Sequence, residues 1–462
     1  MSGTDIPHQS RRQLRLGAFL MGSGHHIAAW RHPDSPSIAG LDFQHFAQAA
    51  QAAEAAKFDL VFLSDSISVR SPDDPATHLA ERSARLEPIT LLSALAAVTE
   101  RIGLVGTASA VYNEPFNVAR RFASLDRLSS GRAGWNMVTS TNLFDPPNFG
   151  QPASLDHAQR YAHAAEFTDV VTGLWNSWDD GALRYDKQTG VLFDAEGLHP
   201  LHHRGDRFQV RGPLNVPPSP QTRPVLVQAG ASDAGRETAA RYAEVVFSAH
   251  QDFSEAQAFY RDVKSRLARY GRSPDELLVL PGVSPFVGRS EAEAQEKFEQ
   301  LQSLITPEVG LALLRPLFGG VDLSAYPLDG PLPELPPTHQ SKSRQHLLVE
   351  LARREQLTIR QLYLRVAGAR GHWQLVGTPS RIADELEQYF RDGAADGYNI
   401  MAPVLPGGLN DFIESVVPEL QRRGLFRTEY ETSTLRGNLG LGTVRRPGRH
   451  SSTQAAVPSA VR

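Results

Sequence analysis

The stretch from Ile102 to Val138, IGLVGTASAVYNEPFNVARRFASLDRLSSGRAGWNMV, contains one complete strand–helix–strand unit. Its apolar start, Ile102–Gly106, predicts a buried strand, Pro115–Leu128 predicts a helix, and Ala133–Val138 predicts a second strand. Proline is favourable at the start of a helix, because its missing N–H would have no partner there. A strand followed by a helix and another strand is the order that builds parallel sheets.

The same alternation of short β-rich runs and longer amphipathic runs extends in both directions from this unit. Further strands are predicted at Leu14–Phe19, Leu60–Leu63, Val225–Val227, Val245–Phe247, Leu277–Val287 and Tyr398–Met401. Further helices are predicted at Asp42–Lys57, Pro88–Val98, Asp156–Leu174, Asp233–Ala243 and Asp411–Arg422. About eight strand–helix units can be counted, which favours an α/β fold of the (β/α)₈ TIM-barrel type over an open doubly wound sheet.

Two stretches exceed what a bare barrel needs. Asp179–Pro224 is rich in loops, and Thr306–Arg370 carries the proline-dense run Pro327–Pro337. Long loops of this kind usually form lids or binding walls. We therefore expect one barrel over residues 1–441, with insertions at about 179–224 and 306–370 forming a lid over its C-terminal face. Residues 442–462 lack apolar periodicity, which predicts a disordered tail.

The composition of the 462 residues restricts the function classes. With 47 basic and 51 acidic side chains the net charge is −4, which disfavours binding to nucleic acid or to an anionic membrane. The chain has no cysteine, so disulfide scaffolds, thiolate zinc sites, iron–sulfur clusters and cysteine nucleophiles are excluded. Met1–Arg15 lacks the apolar core of a secretory signal, and the apolar stretch Leu91–Val98 is far shorter than the ~20 residues of a membrane span. We expect a cytoplasmic protein.

In a barrel the chemistry lies at the C-terminal ends of the strands, so the polar residues that end apolar strands are the first candidates. These are Ser64 and Asp65, Thr107, Asn136, and Gln228 with Gly230. Each of them alone is weak evidence, because the loop after any strand is polar.

Two further features could bind an anionic ligand. Gly230 and Ser232 stand between a strand and a predicted helix, where free helix N–H groups could hold a phosphate, although Ser232 could equally be an ordinary N-cap. His157 and Tyr161 are four residues apart on a predicted helix, so they share a face and could contact one ligand. A surface pair without a ligand is the alternative for these two residues.

Metal binding is a competing interpretation, since histidines occur in two local clusters. These are His25, His26 and His32, and His199, His202 and His203. The clusters lie in predicted loops and lack an HExxH helix or a paired ligand motif, so we expect no metal. Trp30 and Trp135 are candidates for the walls of an apolar pocket, although a core or rim position suits tryptophan equally well. The absence of G-x-G-x-x-G, G-K-[ST] and G-x-S-x-G motifs disfavours a Rossmann NAD site, a P-loop and an α/β-hydrolase.

Seven segments, in one order along almost the whole chain, resemble the bacterial luciferase-like flavin monooxygenases. The resemblance is to the branch that contains nitrilotriacetate monooxygenase component A, dibenzothiophene sulfone monooxygenase and a pristinamycin synthase. The segments are Gly24–Pro33 (GHHIAAWRHP), Phe58–Asp65 (FDLVFLSD), Glu87–Thr90 (EPIT), Arg132–Ser140 (RAGWNMVTS), Gln228–Ser232 (QAGAS), Val321–Asp329 (VDLSAYPLD) and Thr434–Leu441 (TLRGNLGL). Agreement over so many segments is far more specific than any one motif.

This resemblance implies a two-component monooxygenase that takes reduced FMN (FMNH₂) and O₂ as co-substrates, with the flavin supplied by a separate NAD(P)H-dependent flavin reductase. It implies that a C4a-(hydro)peroxyflavin inserts one oxygen atom into a small organic substrate, inside a site that excludes water. The implied flavin contacts are Asp65, Thr107, Asn136, His157, Tyr161, Gly230 and Ser232. His25, His26 and Asn136 are candidates for contact with the peroxide or the substrate. Relatives of this kind associate as homodimers or homotetramers.

The substrate itself does not follow from the resemblance. Arg31 and Arg70 could favour an anionic substrate, but surface arginines are common. Three other functions remain open at this point: a deazaflavin-dependent oxidoreductase on the same barrel, a non-catalytic flavin-binding member, and a metal-dependent barrel hydrolase.

Overall fold

The fold is a closed barrel of eight parallel strands surrounded by helices. The computed structural model describes residues 12–69, 76–79, 81–140, 142, 144–151, 155–335, 342–369 and 371–444. The strands, in chain order, are β1 Arg15–Phe19, β2 Leu60–Leu63, β3 Gly103–Ser109, β4 Ala133–Val138, β5 Leu183–Asp186, β6 Val191–Phe193, β7 His203–Arg204, β8 Gln209–Val210, β9 Val225–Gln228, β10 Val245–Ser248, β11 Leu278–Val287, β12 Trp373–Gly377 and β13 Gly397–Ile400. The ring runs β1-β2-β3-β4-β9-β10-β11-β13 and closes where β13 pairs with β1. The predicted barrel is thereby confirmed.

Helices follow most barrel strands and pack around the outside. They are α1 Phe43–Ala55, α2 Pro88–Ala96, α3 Pro115–Leu128, α4 His157–Trp175, α5 Asp233–Tyr242, α6 Phe253–Arg266, α7 Glu291–Ser303, α8 Pro307–Leu314, α9 Lys342–Arg354, α10 Ile359–Ala369, α11 Pro379–Arg391, α12 Gly407–Asp411, α13 Val417–Arg422 and α14 Leu435–Asn438. Proline occupies the first turn of α2 and α3, as their sequences predict. Among the described residues, no helix combines the length and apolar character that crossing a lipid bilayer requires.

Alternation along the strands separates the barrel interior from the layer between strands and helices. In β2, Leu60 and Phe62 belong to the interior cluster, whereas Val61 and Leu63 pack towards the helices. In β4 the same rule places Asn136 inside and Trp135 outside.

Trp135 is fully buried against Phe122 and Phe167, and its Nε1–H donates to the carbonyl of Ala108 at 3.1 Å. The sequence allowed Trp135 to be either a pocket wall or a core residue. The structure shows that it is a core residue. Trp30, the other candidate, is exposed in the loop after β1.

The segment from Thr432 to Leu441, which we call the C-terminal plug, closes the barrel at the N-terminal ends of the strands. Its side chains Leu435, Leu439 and Leu441 belong to the interior cluster. A Cβ atom on Gly103 would lie only 2.3 Å from Cδ1 of Leu435, so the first residue of β3 must be glycine to admit the plug.

Two buried carboxylates, Glu244 and Asp59, hold the chain near this plug through ion pairs with arginines. Arg436, inside the plug, binds both carboxylate oxygens of Glu244 at 2.7 and 3.0 Å, and Arg223 binds the same carboxylate at 3.2 Å. Arg427, just before the plug, pairs with Asp59 at 2.5 Å. The last segment quoted in the sequence resemblance, residues 434–441, therefore stabilises the bottom of the barrel and lies away from the polar strand ends.

The stretch at 179–224 contains two small antiparallel hairpins, β5–β6 and β7–β8. Glu166 on α4 anchors the second hairpin, since its carboxylate accepts from His203 Nε2 at 3.2 Å and from the N–H of Phe208 at 2.8 Å.

The stretch at 306–370 contains more regular structure than its proline content predicts. Helices α8, α9 and α10 form a small apolar core of their own, and this core includes Ile27 and Ala28 from the loop after β1. The strand β12, which the sequence did not predict, follows this unit and pairs with the second half of β11. Of the predicted tail, residues 445–462 lie outside the described part of the chain.

Candidate functional site

A cavity of about 360 Å³ opens at the C-terminal ends of the barrel strands. Its lining includes these residues from the sequence-derived set: Ser64, Asp65, Thr107, Asn136, Tyr161, Gln228 and Gly230. Three aromatic rings, Phe19, Phe62 and Phe247, form its apolar floor, with ring centroids 4.8 to 5.7 Å apart. A cavity with an apolar floor and a few converging polar groups is the usual form of a small-molecule site.

Asn136 and Thr107 are directly opposite each other on the paired strands β4 and β3. The side-chain amide of Asn136 donates through Nδ2 to Oγ1 of Thr107 at 2.8 Å, and both residues are more than nine-tenths buried. The carbonyl oxygen Oδ1 of Asn136 is buried and has no hydrogen-bond partner among the residues that the structure describes. A buried acceptor of this kind is costly unless a ligand pairs with it.

Gln228, at the end of β9, is a second buried amide, and β9 is the strand next to β4 in the ring. Its side chain is buried and lines the cavity, and its Oε1 also has no partner within the described part of the chain. The cavity wall therefore contains two buried side-chain carbonyl oxygens that could accept N–H groups of a ligand.

Asp65 follows β2 and adds a carboxyl group to the same wall. Burial raises the pKa of Asp65 to about 6, and the neighbouring carboxylates of Glu87 and Asp145 act in the same direction. The N–H of Ser66 and the guanidinium of Arg85 oppose this change. Because the raised pKa is close to neutrality, Asp65 can change its protonation state under ordinary conditions.

The loops after β2 and β4 are tied together at the edge of the cavity. The carboxylate of Asp145 accepts from the hydroxyl of Ser68 at 2.5 Å and from Nδ2 of Asn142 at 2.8 Å. Asn142 also donates to Ser68 at 2.6 Å. These three residues were not identified from the sequence, because nothing in their local pattern distinguishes them from other polar loop residues.

Ser232 is the N-cap of α5, since its Oγ accepts from the N–H of Gly235 at 3.1 Å. The same hydroxyl lies 3.3 Å from the hydroxyl of Tyr161 on α4, whose ring is 4.8 Å from the ring of His157. A Cβ atom on Gly230 or Gly235 would lie 3.0 Å from the Tyr161 oxygen, so both glycines keep this corner open. Hydroxyls and free N–H groups at a helix N-terminus are suited to an anion such as phosphate.

His25 and His26 are buried in the loop after β1 and do not line the cavity. His25 Nε2 lies 2.9 Å from the carbonyl oxygen of Phe19, and its ring packs edge-on against the Phe19 ring. Nδ1 of His26 accepts from the N–H of Ala28 at 3.2 Å. Both histidines thus order the loop, and His25 contacts the cavity floor through Phe19.

The second histidine cluster pairs with carboxylates, His199 with Asp179 at 3.1 Å and His203 with Glu166 at 3.2 Å. Over the described ranges, no group of three or more metal-binding side chains comes together. Arg31 donates to the backbone carbonyl of Leu304, outside the cavity, and Arg70 lies outside the described residues.

The aromatic floor was missed at the level of sequence, although a signal existed. Phe62 lies in β2, two residues before Ser64, which follows the strand. Because side chains alternate between the two faces of a strand, both are expected on the interior side. Phe19 and Phe247 likewise sit near the ends of β1 and β10. Taking the interior apolar residue beside a polar strand end would have found Phe62, and Phe247, which precedes Ser248, but not Phe19, because apolar Leu20 and Met21 follow it.

The chain matches a family model described as Luciferase-like monooxygenase over residues 21–396. Nitrilotriacetate monooxygenase component A of Aminobacter aminovorans is 51% identical to it over 442 residues, covering 94% of this chain and 97% of the relative. N-acetyl-S-(2-succino)cysteine monooxygenase of Bacillus subtilis (strain 168) is 49% identical over 433 residues, covering 93% of this chain and 97% of the relative.

Solved structures give the same picture. The crystal structure of a long-chain alkane monooxygenase superposes with a TM-score of 0.81 at 34% identity, covering 93% of this chain and 96% of that one. A riboflavin lyase, solved with modified FMN and riboflavin, superposes with a TM-score of 0.80 at 32% identity, again covering 93% and 96%.

Proposed function

The chain belongs to the luciferase-like monooxygenase family and is a flavin-dependent monooxygenase. From this premise we propose that it uses reduced FMN, bound in the cavity at the strand ends, to oxygenate a small organic substrate. The observation that carries the proposal is a cavity that combines an aromatic floor with buried acceptors and lies beside a helix N-terminus suited to phosphate. The 49–51% identical relatives are named monooxygenases, which favours oxygenation over the deazaflavin, metal-dependent and non-catalytic alternatives.

The residues present fit the proposed cofactor. The Oδ1 of Asn136 lacks a partner among the described residues, and the isoalloxazine ring of a flavin carries N–H groups that would supply one. The ring would contact Asp65, Thr107 and Asn136, while its flat apolar surface suits the aromatic floor. The similar riboflavin lyase, which was solved with modified FMN, supports FMN as the flavin.

The phosphate of FMN would be held at the corner formed by Ser232, Tyr161 and Gly230, with His157 beside Tyr161. The N–H groups at the start of α5 would add hydrogen bonds to it. Asp233 in the first turn of α5 does not oppose the anion strongly, because its carboxylate is paired with Arg266 at 2.6 Å.

Reduced flavin bound here would supply the two electrons with which O₂ is activated, so that one oxygen atom enters the substrate and the other leaves as water. The chain's own task is to orient the ring and to keep water away from it. The buried side chains of Thr107, Asn136 and Gln228 position polar contacts without admitting solvent. The insertions at about 179–224 and 306–370 are the proposed lid, and His25 and His26 lie where the second of these meets the loop after β1.

We also propose that a separate NAD(P)H-dependent flavin reductase supplies the reduced flavin. The support comes from the 51% identical relative, which is named as component A of its monooxygenase. We propose a cytoplasmic location as well, because the NAD(P)H that such a reductase needs is a coenzyme of the cytosol.

We propose that the protein is a homodimer or homotetramer. The support is a set of exposed apolar side chains on the β5–β6 hairpin, Tyr185, Val191 and Leu192, which a second copy of the chain could cover. Light scattering of the purified protein would test this proposal.

The test of this function is anaerobic mixing of the purified protein with FMNH₂, followed by oxygenated buffer. We expect a transient flavin absorbance that outlives its counterpart in a protein-free sample, because the cavity and its proposed lid would shield the flavin from water. Oxidation at the rate of free flavin, in the presence of saturating protein, would contradict the proposal.

A further inference from the structure

A separate cavity, of about 590 Å³, lies at the N-terminal ends of three barrel strands, at the opposite end of the barrel from the cavity at the strand ends. Its lining includes Arg223 just before β9, Glu244 just before β10 and Arg272 just before β11. The C-terminal plug adds Arg436, and residues 440–444 form part of the wall. Among the described residues, the two cavities have no lining residue in common.

The inner wall of this cavity holds more positive than negative charge. The buried carboxylate of Glu244 pairs with two guanidinium groups, that of Arg436 at 2.7 Å and that of Arg223 at 3.2 Å. Arg272 lies 3.7 Å from the carboxylate of Glu276, and its shorter hydrogen bonds go to backbone carbonyls. Three guanidinium groups therefore meet two carboxylates, which leaves one positive charge in excess.

The groups at the rim of the cavity do not cancel this excess. Arg241 pairs with Asp169 at 2.9 Å, so these two charges balance each other. Asp275 is exposed to water, which screens its charge, and it interacts with the ammonium group of Lys264. Residues 445–462, which follow the wall in the chain, contain no aspartate or glutamate. The sequence beyond the wall therefore adds no carboxylate side chain.

The same cluster is short of hydrogen-bond acceptors. Nη1 of Arg223 and Nε of Arg436 are buried and have no partner within the described part of the chain. Burial lowers the pKa of Arg223, and Arg436 and Arg272 act in the same direction against the opposing effect of Glu244. An anion relieves such crowding of cations, and the planar fork of a guanidinium group matches the oxygens of phosphate.

We propose that this cavity is a second binding site, for a small molecule that carries a phosphate group. The phosphate neutralises the excess charge of Arg223 and Arg436, and the rest of the molecule lies beside Tyr242 and Tyr270, which also line the cavity. Because Arg436 belongs to the C-terminal plug, an anion bound here stabilises the closed bottom of the barrel. The flavin proposed for the other end of the barrel plays no part in this binding.

The experiment uses inorganic phosphate as the probe and records the thermal unfolding midpoint of the purified protein, with sodium chloride at matched ionic strength as the comparison. We expect phosphate, and not chloride, to raise the midpoint in a saturable way, because a ligand of the folded state stabilises it. Arg223→Gln removes the excess charge and leaves Glu244 paired with Arg436. It should raise the half-saturating phosphate concentration by about tenfold, the value of one hydrogen bond between charged groups.

Arg269→Gln is the matched control, since Arg269 is an exposed arginine that pairs with Glu237 and does not line the cavity. It should leave the response to phosphate at the wild-type value. The effect of Arg223→Gln should also persist in a chain that carries Ser232→Ala, at the corner proposed for the phosphate of FMN. Circular dichroism establishes that each variant is folded. If Arg223→Gln does not fold, Thr443→Glu carries the test, because it adds a carboxylate to an exposed part of the wall and should also weaken phosphate binding.

Four results would overturn this second site. They are the absence of a saturable response to phosphate, an equal response to chloride, a half-saturating concentration that Arg223→Gln and Thr443→Glu leave unchanged, and a response that Ser232→Ala alone abolishes. The last result would assign the bound phosphate to the N-terminus of α5.

Discussion

The hydroxyl of Ser232 lies 3.3 Å from the hydroxyl of Tyr161, so the N-terminus of α5 and the side of α4 meet at one corner of the cavity mouth. At both glycines of this corner, Gly230 and Gly235, an added Cβ atom would lie 3.0 Å from the Tyr161 oxygen, so a larger residue would crowd it. A group bound here would contact two helices that are separated in sequence, which is how a barrel assembles a site from several loops.

The first prediction concerns this corner. Ser232→Ala should weaken FMN binding by about 1–2 kcal/mol, because it removes one hydrogen bond to a charged group. Isothermal titration or fluorescence quenching of FMN gives the affinity. Since Ser232 also caps α5, the control is Ser290→Ala, which removes the equivalent N-cap of α7 away from the cavity. This control should cost stability of about 1 kcal/mol and leave FMN affinity unchanged. An equal affinity for Ser232→Ala and the wild type would exclude the phosphate assignment.

The second prediction concerns Asp65, whose pKa is raised to about 6 by burial from an ordinary value of 3.8. Between these two pH values the folded protein binds a proton that the unfolded chain has lost, so the stability contributed by this group falls as the pH rises. Asp65→Asn, which cannot ionise, should therefore stabilise the flavin-free protein more at about pH 8 than at about pH 4. Urea unfolding at both pH values measures the difference. A gap between variant and wild type that is the same at both pH values would contradict the raised pKa.

The third prediction concerns Glu244 at the bottom of the barrel. Burial alone would raise its pKa, but Arg223 and Arg436 outweigh burial and lower the pKa to about 2, from an ordinary value of 4.5. The stability from this carboxylate is present above pH 4.5 and is lost as the pH falls towards 2. Glu244→Gln should destabilise the protein by about 3–5 kcal/mol at neutral pH, because it leaves buried guanidinium groups without a counter-charge.

The loss caused by Glu244→Gln should shrink as the pH falls below 4.5, where the wild-type carboxylate itself begins to lose its contribution. The control is Glu293→Gln. Glu293 lies on α7 and forms an exposed ion pair with Arg289, so its loss should leave the unfolding midpoint close to the wild-type value. A Glu244 variant no less stable than this control would mean that the buried pair contributes nothing.

The fourth prediction separates the plug from the tail. A chain that ends at Gly442 should keep the FMN affinity and the unfolding midpoint of the full-length protein, because the plug ends at Leu441. Leu435→Ala should cost about 2–5 kcal/mol, since Leu435 is fully buried against Gly103 and Gly134. Differential scanning calorimetry of both variants tests this contrast. A truncated chain as unstable as the Leu435 variant would assign a structural role to residues beyond 442.

The positions of Asp65, Thr107 and Asn136 could be predicted because a barrel brings the ends of all its parallel strands to one face. Each of the three residues ends an apolar run, and the structure places them around one cavity. The same rule did not place His157 or Ser232, which depend on the N-terminal ends of α4 and α5. Helical spacing and N-cap chemistry predicted those two local features.

Other features needed the three-dimensional structure. Trp135 and Asn136 are adjacent in sequence, but alternation along β4 sends one to the core and the other to the cavity. The strand β12 was missed because it follows a helical unit whose proline-rich sequence resembles a loop, and because it pairs with β11 outside the eight-stranded ring. The ties among Ser68, Asn142 and Asp145 join loops 74 to 77 residues apart, and local sequence carries no record of such contacts.

The C-terminal plug has a consequence for the order in which the barrel can form. Leu435 fills the space above Gly103 and Gly134, and its N–H donates to the carbonyl of Gly131 at 3.0 Å, so the plug seals strands that lie far before it in the chain. Strands β3 and β4 can pair with their neighbours before the plug docks, but the bottom of the barrel is sealed only when it does. A chain cut just before Thr432 would therefore carry every proposed flavin contact and lack the side chains that seal the interior.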